Sequence, residues 1–85
     1  IKKVFDTEST TKAAIEVNAD SLTTGYAAHF YSNSSNTSTR NLVQIWNDHA
    51  DSTGTTALRV RQDSTGAAAI FETASDGTII DFGKG

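Results

Sequence analysis

One short phrase recurs six times along this chain, and it constrains the fold more than any single motif. A small or apolar residue is followed by an apolar, a polar and an apolar one, and then by a polar stretch rich in Asp, Ser, Thr and Gly. The copies are Ala14-Ile15-Glu16-Val17, Ala27-Ala28-His29-Phe30, Leu42-Val43-Gln44-Ile45, Ala57-Leu58-Arg59-Val60, Ala68-Ala69-Ile70-Phe71 and Ile79-Ile80-Asp81-Phe82. A repeat of this kind predicts stacked copies of one small unit, not a fold around a single centre.

The last apolar residues of the phrases stand at 17, 30, 45, 60, 71 and 82, so the steps are 13, 15, 15, 11 and 11 residues. Each step holds one strand of about five residues and a turn, with no room for a helix. Alternation within Leu58-Arg59-Val60-Arg61 puts the two apolar side chains on one face and the arginines on the other. Carried across the copies, that phase makes Val17, Phe30, Ile45, Val60, Phe71 and Phe82 the expected structural core. Ile15, Ala28, Val43, Leu58, Ala69 and Ile80 fall on the same side. Tyr31, Trp46, Ile70 and Ile79 break the phase by falling outside, as surface anchors or under a neighbouring chain.

Asp20-Ser21, Asp51-Ser52-Thr53-Gly54, Asp63-Ser64-Thr65-Gly66 and Asp76-Gly77 read as turns. Asp and Ser side chains hydrogen-bond nearby backbone, and Gly tolerates positive φ. Ser32–Arg40 is a longer polar insertion of low complexity, expected at the surface. Residues 1–11, with Val4-Phe5, read as the remnant of an earlier repeat, and 12–85 as a repetitive fibre segment. The start at Ile1 and the Gly83-Lys84-Gly85 end read as interior cuts of a longer protein.

With 85 residues, 36% of them hydrophobic and many of those alanine, the chain has little with which to build a core. Small domains of this size lean on disulfides, metals or oligomerisation. There is no Cys and no cluster of metal ligands in the sequence, which leaves oligomerisation. The expected fold class is therefore all-β: a repetitive short-strand β-helix, as an intertwined or side-by-side homotrimer in which three identical chains each give one strand per layer. A single-chain β-solenoid is the alternative, and a sandwich a third.

Seven basic and ten acidic residues give a net charge of −3 without a basic stripe. Nucleic-acid binding through phosphates is disfavoured. No apolar run approaches the roughly 20 residues of a membrane span, and no signal-peptide pattern is present. His29 and His49 are 20 residues apart with no partner at metal-binding spacing, so neither a metal nor another cofactor is expected. Asp48, His49, Asp51 and Ser52 supply the residue types of a hydrolase triad, but neighbouring turn residues point apart, and a triad needs converging ones. No catalytic residue is assigned and no enzymatic activity is expected. Asn33-Ser34-Ser35 and Asn36-Thr37-Ser38 fit the N-glycosylation sequon, which matters only in a eukaryotic secretory setting; the reading preferred is turn-forming polar residues. Tyr31 and Trp46, beside Ser32–Arg40, are the surface on which a glycan would be expected to stack.

The cadence from Thr53 to Phe71, Thr-Gly-Thr-Thr-Ala-Leu-Arg-Val-Arg-Gln-Asp-Ser-Thr-Gly-Ala-Ala-Ala-Ile-Phe, resembles the shaft repeats of bacteriophage tail fibres and related virion fibres. The likeness extends from Lys12 to Phe82, against which the steps are uneven and the Ser/Asn-rich insertion is a departure. It implies a trimeric fibrous β-helix, in a virion or extracellular setting, that spaces a host-recognition tip from the particle. Identical chains are the implied partners, with a host-surface glycan as a further one. A cellular adhesin or matrix filament would use the same repeats, and a polysaccharide-cleaving β-helix enzyme is the remaining alternative.

Overall fold

Alternation makes a strand only when a second backbone lies alongside to take its N–H and C=O groups. In the computed structural model, which describes residues 3–8 and 10–83, none of the described residues belongs to a strand or a helix. The all-β expectation is corrected accordingly. This is a chain of low regular structure, neither a β-helix nor a single-chain β-solenoid. The Ile1 start and the Lys84-Gly85 end, with Lys2 and Ser9 of the 1–11 segment, lie outside the described residues.

The repeat nevertheless shapes the backbone. The chain bends at Ala14-Ile15, Ala27-Ala28, Leu42-Val43, Ala57, Ala68 and Ile79, which is the first residue of every phrase. Unbent stretches follow at 16–19, 29–37, 44–49, 58–63 and 69–73, and again at 80–83. Four of the phrases begin with Ala, whose methyl group leaves room for a change of direction. Leu42 and Ile79 bend too, so small size is not a condition.

The turns explain why these unbent stretches do not pair. Leu22 N–H donates to Ala19 O at 3.1 Å around Asp20-Ser21, and Ser52 N–H donates to His49 O at 3.0 Å around Ala50-Asp51. Thr55 N–H reaches Ser52 O at 3.4 Å around Thr53-Gly54, and Thr53 N–H closes a tighter turn on Asp51 O at 2.9 Å. Turns were thus legible at Asp20-Ser21 and across residues 51–54, while 64–66 and 74–77 bend without a backbone bond. Two-residue hairpins favour turns with positive φ at one or both central residues, because only those match the twist of the flanking strands. Among the described residues, Gly25 alone has positive φ, at +87°, and it lies in none of these turns. The turns redirect the chain without folding one stretch back against the next.

The chain divides into two units, Ile1–Val43 and Gln44–Gly85. The first holds the Ala19–Leu22 turn, the Gly25 bend and the Ser/Asn-rich insertion; the second holds the linked turns from His49 to Thr55. The boundary falls inside the third phrase, between Val43 and Gln44.

Neither unit encloses a core: every described residue is exposed. The accessible area is 9193 Å². A folded monomer of this mass would expose about 4,900 Å², and its fully unfolded chain about 13,000 Å². The chain lies about midway in that range, and with every described residue exposed, apolar burial contributes little to holding it.

Candidate functional site

Side-chain organisation is local and falls mostly at two-residue spacing. Its most developed instance runs from Gly25 to Ser38. Gly25 takes the left-handed φ that L side chains avoid, and the bend at Ala27-Ala28 brings Tyr26 back over His29. Their rings stack with centroids 4.5 Å apart and planes 12° from parallel. His29 and Tyr31, two residues apart on the unbent stretch, approach to 5.8 Å at 39°. Aromatic pairs of this kind contribute about 0.5–1.5 kcal/mol beyond area burial, and less where water reaches both rings.

A polar ladder follows directly. Ser34 N–H donates to Ser32 Oγ at 3.3 Å, Asn36 N–H to Ser34 Oγ at 3.2 Å, and Ser38 N–H to Asn36 Oδ1 at 2.8 Å. Short polar side chains compete well for nearby backbone donors, which is how the insertion gains local order without a core. The aromatic run offers ring faces, and the ladder beside it offers hydroxyl and amide groups. Chemically, that pairing suits a ligand with one apolar face and a hydroxylated rim.

Tyr31 lies in this run and is 71% exposed. Trp46 belongs to the second unit, equally exposed at 71%. Sequence reasoning missed Tyr26. The available signal was three rings at 26, 29 and 31 with Ala27-Ala28 between the first two, where two small residues let a bend fold the first ring back onto the second.

Val17, Phe30, Ile45, Val60, Phe71 and Phe82 are all exposed, from 54% for Val60 to 89% for Phe82. Ile70, expected on the outer face, is 73% exposed, close to its neighbour Phe71 at 64%. A single chain therefore distinguishes no inner face.

Around His49 two of the candidate triad groups, the His49 Nδ1 and the Ser52 hydroxyl, are engaged elsewhere. Asp51 N–H donates to His49 Nδ1 at 3.1 Å, and Ser52 Oγ shares a 2.6 Å hydrogen bond with Thr55 Oγ1. Arg61 Nε donates to Asp63 Oδ1 at 2.6 Å, a well-solvated pair of small energetic weight. Ser64 N–H donates to Gln62 Oε1 at 3.0 Å. The turns were expected to be anchored by Asp and Ser; at these two the acceptor is the residue two positions before, His49 or Gln62.

Among the described residues, no group of three His, Cys, Asp or Glu gathers as a metal site, and no helix is long and apolar enough to cross a membrane. No protein-family model, no curated protein and no solved structure matches this chain.

Proposed function

We propose that this chain is a structural segment of a virion or extracellular fibre of the phage tail-fibre kind, and that it works in association with identical chains, three by the resemblance of its repeats. The observation that carries the reading is a pairing of two facts. A cadence of six phrases is kept by the backbone as six bends, yet the apolar residues of every phrase are exposed. Apolar side chains at regular intervals with no cover from their own chain are suited to cover by copies of the same chain, because an identical partner repeats the same intervals. In this reading the segment supports host attachment and carries out no chemistry. A host-surface glycan, where one is taken up, meets an exposed ring face, that of Tyr31 in the first unit or that of Trp46 in the second.

Light scattering of the purified segment across a concentration series, paired with negative-stain images, tests the assembly. Growth into elongated particles of defined subunit number supports it. A monomer at all concentrations overturns it. A glycan array on the same material tests the glycan reading: the Tyr31→Ala or the Trp46→Ala variant is expected to lose any binding, and binding indifferent to both removes both faces. Turnover of a polysaccharide would replace the structural reading with an enzymatic one.

A further inference from the structure

The repeated Asp turns are alike in sequence but differ at one atom, the backbone nitrogen that follows the aspartate. In Asp51-Ser52 that N–H is held by His49 O at 3.0 Å, and in Asp63-Ser64 it is held by Gln62 Oε1 at 3.0 Å. In Asp76-Gly77 no hydrogen bond among the described residues engages the Gly77 N–H, and the exposed stretch 74–77 is bent. Gly77 also lacks the side chain that would crowd its nitrogen, and a Cβ built there would meet nothing nearer than Thr73 Oγ1 at 3.7 Å. Asp20-Ser21 shares the unengaged N–H, at the centre of the Ala19–Leu22 turn, but not the missing side chain.

We infer that Asp76 is the preferred site on this chain, among its aspartates, of spontaneous conversion to isoaspartate. The Gly77 nitrogen attacks Cγ of the protonated Asp76 carboxyl. An N–Cγ bond forms and a Cγ–O bond breaks, and the amide proton leaves with the carboxyl OH as water, giving a five-membered cyclic imide. Water then opens the ring. Cleavage at Cγ restores aspartate, whereas cleavage at the main-chain carbonyl leaves the chain joined through Cβ and Cγ. The second product carries one extra atom in the main chain, placed between the fifth and sixth phrases. A chain built on repeat spacing registers such an insertion where an ordinary surface does not. This inference concerns the chain's own chemistry and stands whether or not the fibre reading does.

The test is prolonged incubation of the whole segment at neutral pH, with isoaspartate labelled by an isoaspartate-specific methyltransferase and located by mass spectrometry. Label is expected first at Asp76, several-fold above Asp51 and Asp63, and Asp76→Glu is expected to abolish the leading site because a six-membered imide closes far more slowly. Gly77→Ser separates structure from dipeptide chemistry, since sites 51, 63 and 76 then share the Asp-Ser sequence. Asp76 is still expected to lead Asp51 and Asp63, and Gln62→Ala is expected to raise Asp63 by freeing the Ser64 N–H. Equal labelling of Asp51, Asp63 and Asp76 in the Gly77→Ser chain, or leading label at any aspartate other than Asp76 in the parent, overturns the inference.

Discussion

Gly25 and the phenylalanines set the residue-scale expectations. At φ +87° Gly25 occupies a region that costs an L residue about 1–2 kcal/mol. Nothing else stands within 4 Å of a Cβ there, so the cost is conformational and not steric crowding by a neighbour. Gly25→Ala is expected to move the backbone to negative φ and redirect the chain that precedes Tyr26, while the ring-current shifts of Tyr26 and His29, which both follow that dihedral, persist; loss of those shifts refutes this division. Phe30 and Phe71 are 66% and 64% exposed, so Phe30→Ala and Phe71→Ala are expected to leave the spectrum of the dilute single chain unchanged. In an assembly that buries them, each replacement costs about 3–5 kcal/mol per side chain and shifts association to higher concentration. An association curve unmoved by both variants excludes those rings from the contact.

At the scale of elements, what was readable and what was not divide along local and non-local lines. The Asp20-Ser21 turn, the turns across 51–54 and the spacing of the phrases were legible because each is decided within four residues, by hydrogen-bond competition and by the chain's local preference to turn. Strand pairing was not. Period-two alternation states which side chains share a face, and leaves open which backbone lies next to them. Tyr26 escaped for a related reason: its ring meets His29 through the bend at Ala27-Ala28, which a hydrophobicity pattern does not register. An element-scale prediction follows from the absent ladders. In the dilute chain, amide hydrogens at 58–62 and 69–73 are expected to exchange at close to free-peptide rates, and to slow only on association. Strong protection in the dilute monomer would show that these stretches already have partners.

At the scale of the whole molecule, an exposed area of 9193 Å² without a core sets how the chain responds to heat and denaturant. Cooperative unfolding needs apolar surface to be released together, and this chain has little to release. The dilute segment is expected to show a gradual, non-sigmoidal thermal trace. A sharp transition whose midpoint rises with protein concentration is the mark of assembly. Trp46 reports the same event: its emission is expected at the wavelength of a solvated indole in the dilute state and at shorter wavelength on association. A sharp, concentration-independent melt would demand a monomeric core.

The ladder at 32–38 bears on which encounters between copies go wrong. On the unbent stretch 29–37 the N–H groups of Ser34 and Asn36 lie along one edge, as alternate residues do, and Ser38 follows at the bend that ends it. Each is already taken by the side chain two residues before it. That edge has no donor left at those positions, so the carbonyls of a passing chain find nothing there to template against. In the proposed assembly, where the apolar phrases meet copies of themselves, the insertion is a break between two of them. Misaligned pairing begun at Ala27-Ala28-His29-Phe30 stalls before it can run on to Leu42-Val43-Gln44-Ile45.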